Sequence, residues 1–117
     1  MVNPEIYYGL GNVAYALVKA DNQLHRVESL ETRMLLLEQP HGELAMQSFQ
    51  ANECYKLSVE DAYSNAFGRF RTHKNQFTKS LRKQFLKIIR ALAQADNCVS
   101  AKEFEFIKKF RNDLKTV

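Results

Sequence analysis

Apolar residues recur along this chain at steps of three and four, the spacing that gathers side chains on one side of an α-helix. Ile6, Leu10, Val13, Ala14 and Leu17 set out the first stripe and predict a helix over about residues 5 to 20. Val27, Leu30, Met34 and Leu37 resume the pattern and predict a second inward face. Pro40 closes it, because proline lacks the amide that a helix interior needs. Residues 43 to 55 are less regular but still read as helix. Ser58, with Asp61 three residues on, predicts a cap for a further helix that turns Val59, Ala62, Tyr63, Ala66, Phe67 and Phe70 inward. Leu81, Phe85, Ile88, Ile89 and Leu92 line the next, and Phe104, Ile107, Phe110 and Leu114 the last. No stretch alternates polar and apolar residues with β-branched enrichment, so no strands are expected. The pattern predicts one all-α domain over residues 1–117, a compact bundle of about six helices without linker or low-complexity segment.

One short stretch occurs twice. ADNCVSAKE, centred on Asp96-Asn97, is echoed 75 residues earlier as ADNQLHRVE at Asp21-Asn22. In both, an Ala-Asp-Asn triplet ends an apolar run and a Glu follows the Asp by seven residues, as Glu28 and Glu103. Asn tolerates the left-handed backbone that reverses a helix. In the second copy Val99 is placed as a hydrophobic staple, and Ser100 with Glu103 forms an S-x-x-E capping box that contributes about 1 kcal/mol. The first copy has His25 where the capping Ser would stand. The repetition predicts two pseudo-symmetric helix-turn-helix hairpins, each closed by the same device.

This doublet of helix, A-D-(G/N)-x-(I/V/L)-x-x-x-E, helix resembles the TerB-like family, named for tellurite-resistance protein B, and the resemblance covers essentially the whole chain. Members usually carry Asp-Gly where this chain has Asp21-Asn22 and Asp96-Asn97. The resemblance implies a non-catalytic helical module, linked to stress responses, membrane-associated complexes and co-chaperones, with a protein partner and contact with a membrane periphery. It also implies a divalent-cation site, carried by position onto Asp21, Glu28, Asp96 and Glu103.

Read from the residues alone, those four carboxylates have two roles open to them. They could gather near a twofold axis and offer oxygen ligands to calcium, magnesium or manganese. Equally, each Asp caps its loop and each Glu completes its box. The loops are not EF-hands, since ligand positions three, five and twelve fall on Gln23, His25 and Thr32, and on Cys98, Ser100 and Ile107. His25 and Glu28, at i and i+3, lack the partners of a bundle di-metal site. No nucleophile elbow, phosphate-cradling loop or HExxH is present, and Gly9-Leu10-Gly11 lies inside a helical pattern. No catalysis is expected.

Charge changes the picture more than composition does. Residues 1 to 61 carry four Lys/Arg against nine Asp/Glu, and residues 62 to 117 carry thirteen against four. No acidic residue occurs from Ala62 to Ala95, where Arg69, Arg71, Lys74, Lys79, Arg82, Lys83, Lys87 and Arg90 fall. Such a segment is either the solvated side of an amphipathic helix or a surface that grips phosphates or anionic lipid. A second reading of the chain follows, a small basic protein binding nucleic acid or anionic lipid through residues 69–90. Tyr8 and Tyr15 lie off the first stripe and offer a contact patch, unless the chain's own loops cover them. The amino-terminal MVNPEIYYGLG has no basic flank or apolar stretch of a secretion signal, and no run is long enough to span a bilayer. Cys54 and Cys98 form no CxxC pair and read as small buried thiols in a reducing cytoplasm.

Overall fold

One helix is buried on nearly every side, and the others are laid around it. In the computed structural model, which describes residues 2–20, 26–94 and 100–117 and the side chains of 2–20, 30–94 and 100–117, the order is α1 (Pro4–Ala20), α2 (Arg26–Leu37), α3 (Gly42–Tyr55), α4 (Val59–Thr72), α5 (Lys79–Ala93) and α6 (Ala101–Leu114). The described residues contain no strand, so the chain is the all-α bundle of about six helices that its periodicity predicts. Twelve of the seventeen residues of α1 are buried, which makes it the axis of the fold rather than an amphipathic surface helix. It packs chiefly on α4 and α3, and also meets α5, α6 and α2.

Two glycines let that axis be surrounded so closely. A Cβ on Gly9 would lie 2.5 Å from Cε1 of Phe70 in α4, and one on Gly11 would run into the Ala45 carbonyl oxygen of α3. The Gly-Leu-Gly of the sequence is thus a seat for two helix crossings. Around it the aromatic core assembles from α4, α5 and the segment between them. Phe70 stacks on Phe77 with centroids 4.5 Å apart, and Phe77 leans on Phe85 at 5.3 Å. Phe77 belongs to no helical stripe, yet it is fully buried.

The caps follow the sequence. Ser58 Oγ accepts from the Asp61 amide at 3.0 Å, Thr78 Oγ1 accepts from the Leu81 amide at 3.2 Å, and Ser100 with Glu103 completes the capping box of α6. At the end of α3 the Leu57 carbonyl accepts from Tyr15 Oη at 2.8 Å and Lys19 Nζ at 2.7 Å, so α1 ties down the turn that leads into α4.

Three expectations need correction. Leu30, Met34 and Leu37 do not face the core: they are 52%, 64% and 56% exposed, while Thr32 and Leu36 are buried. Leu36 and Thr32 form the inner side of α2 against its neighbours, and Arg33 Nη2 meets Glu53 Oε1 of α3 at 2.8 Å beside them. On α6 the inward face runs through Phe106, Phe110 and Leu114, leaving Phe104 63% exposed. Of the two readings open for Tyr15 the covered one holds, since it is buried with its ring against Phe49. Cys54 is exposed rather than a buried thiol. Both repeated turns, Cys98 and the side chain of Val27 lie outside the described residues. The two hairpins they join are unequal, since α1 is buried nearly all round while α6 buries a single stripe.

Candidate binding groove between α5 and α6

The spacing i, i+3, i+4, i+7 recurs on two neighbouring helices and places their cations face to face. On α5 it aligns Lys79, Arg82, Lys83 and Leu86, with Arg90 one turn further. On α6 it aligns Phe104, Ile107, Lys108 and Arg111, with Leu114 and Lys115 beyond. The helices run antiparallel, so one end of the groove between them is lined by Lys79, Arg82, Lys83, Leu86, Arg111, Leu114 and Lys115, around about 380 Å³. The other end is lined by Arg90, Gln94, Phe104, Ile107, Lys108 and Arg111, around about 320 Å³. Arg111 lines both, so the two ends adjoin along the α5–α6 seam.

Three properties define its chemistry. Neither end has an acidic lining residue. Among the described residues, none of the seven lining cations forms an ion pair. The floor, by contrast, is apolar: Leu86 and Ile107 pack against the core with part of their surface left open, and Leu114 closes one end. Arg82 is held in place, its Nε donating to the Phe77 carbonyl at 3.0 Å and its guanidinium lying 5.5 Å from the Phe77 ring centre. An apolar floor between cationic walls suits an elongated partner that is itself apolar on one side and acidic on its flanks.

The wall made by α6 is fixed from behind. Tyr63 Oη of α4 donates to Asp113 Oδ2 at 2.5 Å, and Lys109 Nζ donates to the same oxygen at 2.8 Å while sitting 4.3 Å from the Tyr63 ring centre. Burial raises the Tyr63 hydroxyl well above its ordinary value, and the bond to a carboxylate adds to the rise. Burial alone would raise Asp113 as well. The bonds from Lys109 and Tyr63 outweigh it and hold that carboxyl below its ordinary value. Asp113 thus serves the α4–α6 contact and leaves the groove wall cationic.

The basic run from residue 69 to 90 is divided by the fold. Lys79, Arg82, Lys83 and Arg90 line the groove, and Lys87 is exposed beside it without lining either end. Arg71 lies over the Phe67 ring at 5.6 Å, and Lys74 is exposed in the turn after α4. Arg69 belongs to another cleft, where its Nε meets Glu5 Oε2 at 3.1 Å and its guanidinium lies 5.7 Å from the Tyr8 ring centre. That cleft, about 370 Å³ between α1, α3 and α4, has a polar floor in which Asn12 Nδ2 donates to Asn52 Oδ1 at 3.0 Å. Its single lining cation is matched by its single lining carboxylate.

Sequence reasoning missed half of the groove. Lys108, Arg111 and Lys115 sit at i, i+3 and i+7 on α6, a stripe visible in the sequence but masked by interspersed acids at Glu105 and Asp113. Of the four expected cation ligands, Asp21, Asp96 and the Glu28 side chain lie outside the described residues, and Glu103 is placed in the capping box. Among the described residues, no three His, Cys, Asp or Glu side chains converge as a metal site, and no helix is long and apolar enough to cross a membrane. Compared with protein families, curated proteins and solved structures, the chain matches none.

Proposed function

We propose that this chain is a non-catalytic helical interaction module whose α5–α6 groove receives an acidic, amphipathic helix of a protein partner. One observation carries the reading: the cationic walls enclose an aliphatic floor of Leu86, Ile107 and Leu114. A phosphate backbone gains nothing from aliphatic surface, whereas a helix with apolar residues at i, i+4 and i+7 and glutamates beside them satisfies floor and walls together. The reading keeps the interaction role that a TerB-like module would have.

The test is fluorescence anisotropy with a labelled acidic amphipathic peptide and a scrambled peptide of the same composition. The ordered peptide should bind more tightly, and Lys83→Glu with Arg111→Glu should abolish the difference. Equal binding of both peptides would reduce the groove to a nonspecific polyanion surface.

A second reading draws on Phe104, an exposed ring beside Arg90, Lys108 and Arg111. Rings among cations stack nucleobases, so single-stranded nucleic acid is its ligand. Oligonucleotide affinity that falls steeply with salt and drops on Phe104→Ala would favour this reading over the first.

A further inference from the structure

The groove has a matching face on the same chain. Leu30, Met34 and Leu37 form an i, i+4, i+7 stripe along the outside of α2, each more than half exposed. Three large aliphatic side chains in one exposed row offer a docking face. The helical repeat sets Glu31 and Glu38 along one edge of this stripe. On the other edge Arg33 is engaged by Glu53 at 2.8 Å, and Arg26, whose side chain lies outside the described residues, stands one turn before Leu30. From Leu30 to Glu38 the outer face of α2 is therefore an apolar row with an acidic edge, the chemistry the α5–α6 groove is built to take.

We propose that the chain associates with itself head to tail, the α2 stripe of one copy lying in the α5–α6 groove of the next. The inference rests on the groove reading above and names its partner as a second copy. Charge complementarity selects this occupant, since an acidic edge meets walls with no acidic lining residue. Length agrees: α2 has 12 residues and the groove helices 15 and 14, about 18 Å against about 21 Å at 1.5 Å per residue. Within one chain α2 packs on α3 and α5, with Leu36 and Thr32 on its inner side, so its stripe points away from its own fold. In this head-to-tail arrangement the contact is heterologous and builds open chains or rings.

Sedimentation velocity over a concentration series tests this with three proteins: the parent chain, a stripe variant (Leu30→Gln, Met34→Gln, Leu37→Gln) and a groove variant (Lys83→Glu, Arg111→Glu). All five positions are solvent-exposed, and circular dichroism checks that helix content is kept. The parent should grow beyond a dimer with concentration. Each variant alone should stay monomeric, and their equimolar mixture should form a one-to-one dimer, since each supplies the face the other lacks. A parent that stays monomeric, a groove variant that dimerises through its stripe, or a mixture that fails to associate would each overturn self-docking. The acidic peptide separates the two claims. If the parent is monomeric yet takes the peptide in its groove, self-docking falls and the groove reading stands; if the groove variant still takes the peptide, the groove reading falls as well.

Discussion

Tyr63 and Asp113 join α4 to α6 across fifty residues of chain, through a 2.5 Å hydrogen bond from the hydroxyl to Oδ2. The depressed Asp113 carboxyl contributes stability above its ordinary unfolded value, and that contribution is lost as pH falls through its lower folded value. Tyr63→Phe should therefore cost about 1.5 kcal/mol at neutral pH by urea unfolding, with the deficit shrinking in acid as Asp113 protonates. At the alkaline end the raised Tyr63 gives the opposite sign, with stability declining once pH passes tyrosine's ordinary value of 10.0.

Gly11 and Gly68 should respond in opposite directions to alanine. A methyl on Gly11 meets backbone and the Ser48 Cβ, which cannot swing aside, so Gly11→Ala should lose about 2 kcal/mol despite its better helix propensity. Around Gly68, in the exposed interior of α4, nothing lies within 4 Å of the added carbon. Gly68→Ala should gain about 1 kcal/mol. Thermal unfolding of the two variants reads both.

The Asn12–Asn52 pair is buried, at 4% and 3% exposure, and each amide is satisfied by the other or by a neighbour. Asn52→Ala leaves the Asn12 amide without its acceptor and should cost about 2 kcal/mol. The double variant with Asn12→Ala should cost clearly less than the two single losses added together, as a double-mutant cycle would show.

The groove cations hold no ion pair among the described residues, so removing them should not unfold the protein. Lys83→Gln with Arg111→Gln should leave the melting temperature unchanged or slightly raised, within about 0.5 kcal/mol, most visibly at low salt where like charges repel furthest. A loss of several degrees would mean that these residues serve the fold instead.

Helix number and most boundaries were legible in the sequence because stripes such as Leu81, Phe85, Ile88, Ile89 and Leu92 have a single buried side to choose. The faces of α2 and α6 were not. For α2, the Leu30-Met34-Leu37 row is the more apolar side, yet the helix buries Leu36 and Thr32 and meets α3 through Arg33 and Glu53, residues 20 apart. Phe77 escaped notice because it is buried by tertiary packing with no helical period behind it. The groove was half visible: its α5 wall stood out as a run without acids, while its α6 wall needed pairing of two helices that sequence spacing alone does not bring together.

The most direct measurement of the central claim is an amide NMR titration of the folded chain with the acidic amphipathic peptide. Shifts should concentrate on residues 79 to 94 and 104 to 115, on α5, α6 and their C-caps, with the cleft around Tyr8, Asn52 and Arg69 unmoved. Shifts centred on that cleft, or spread evenly over every exposed lysine and arginine, would contradict it.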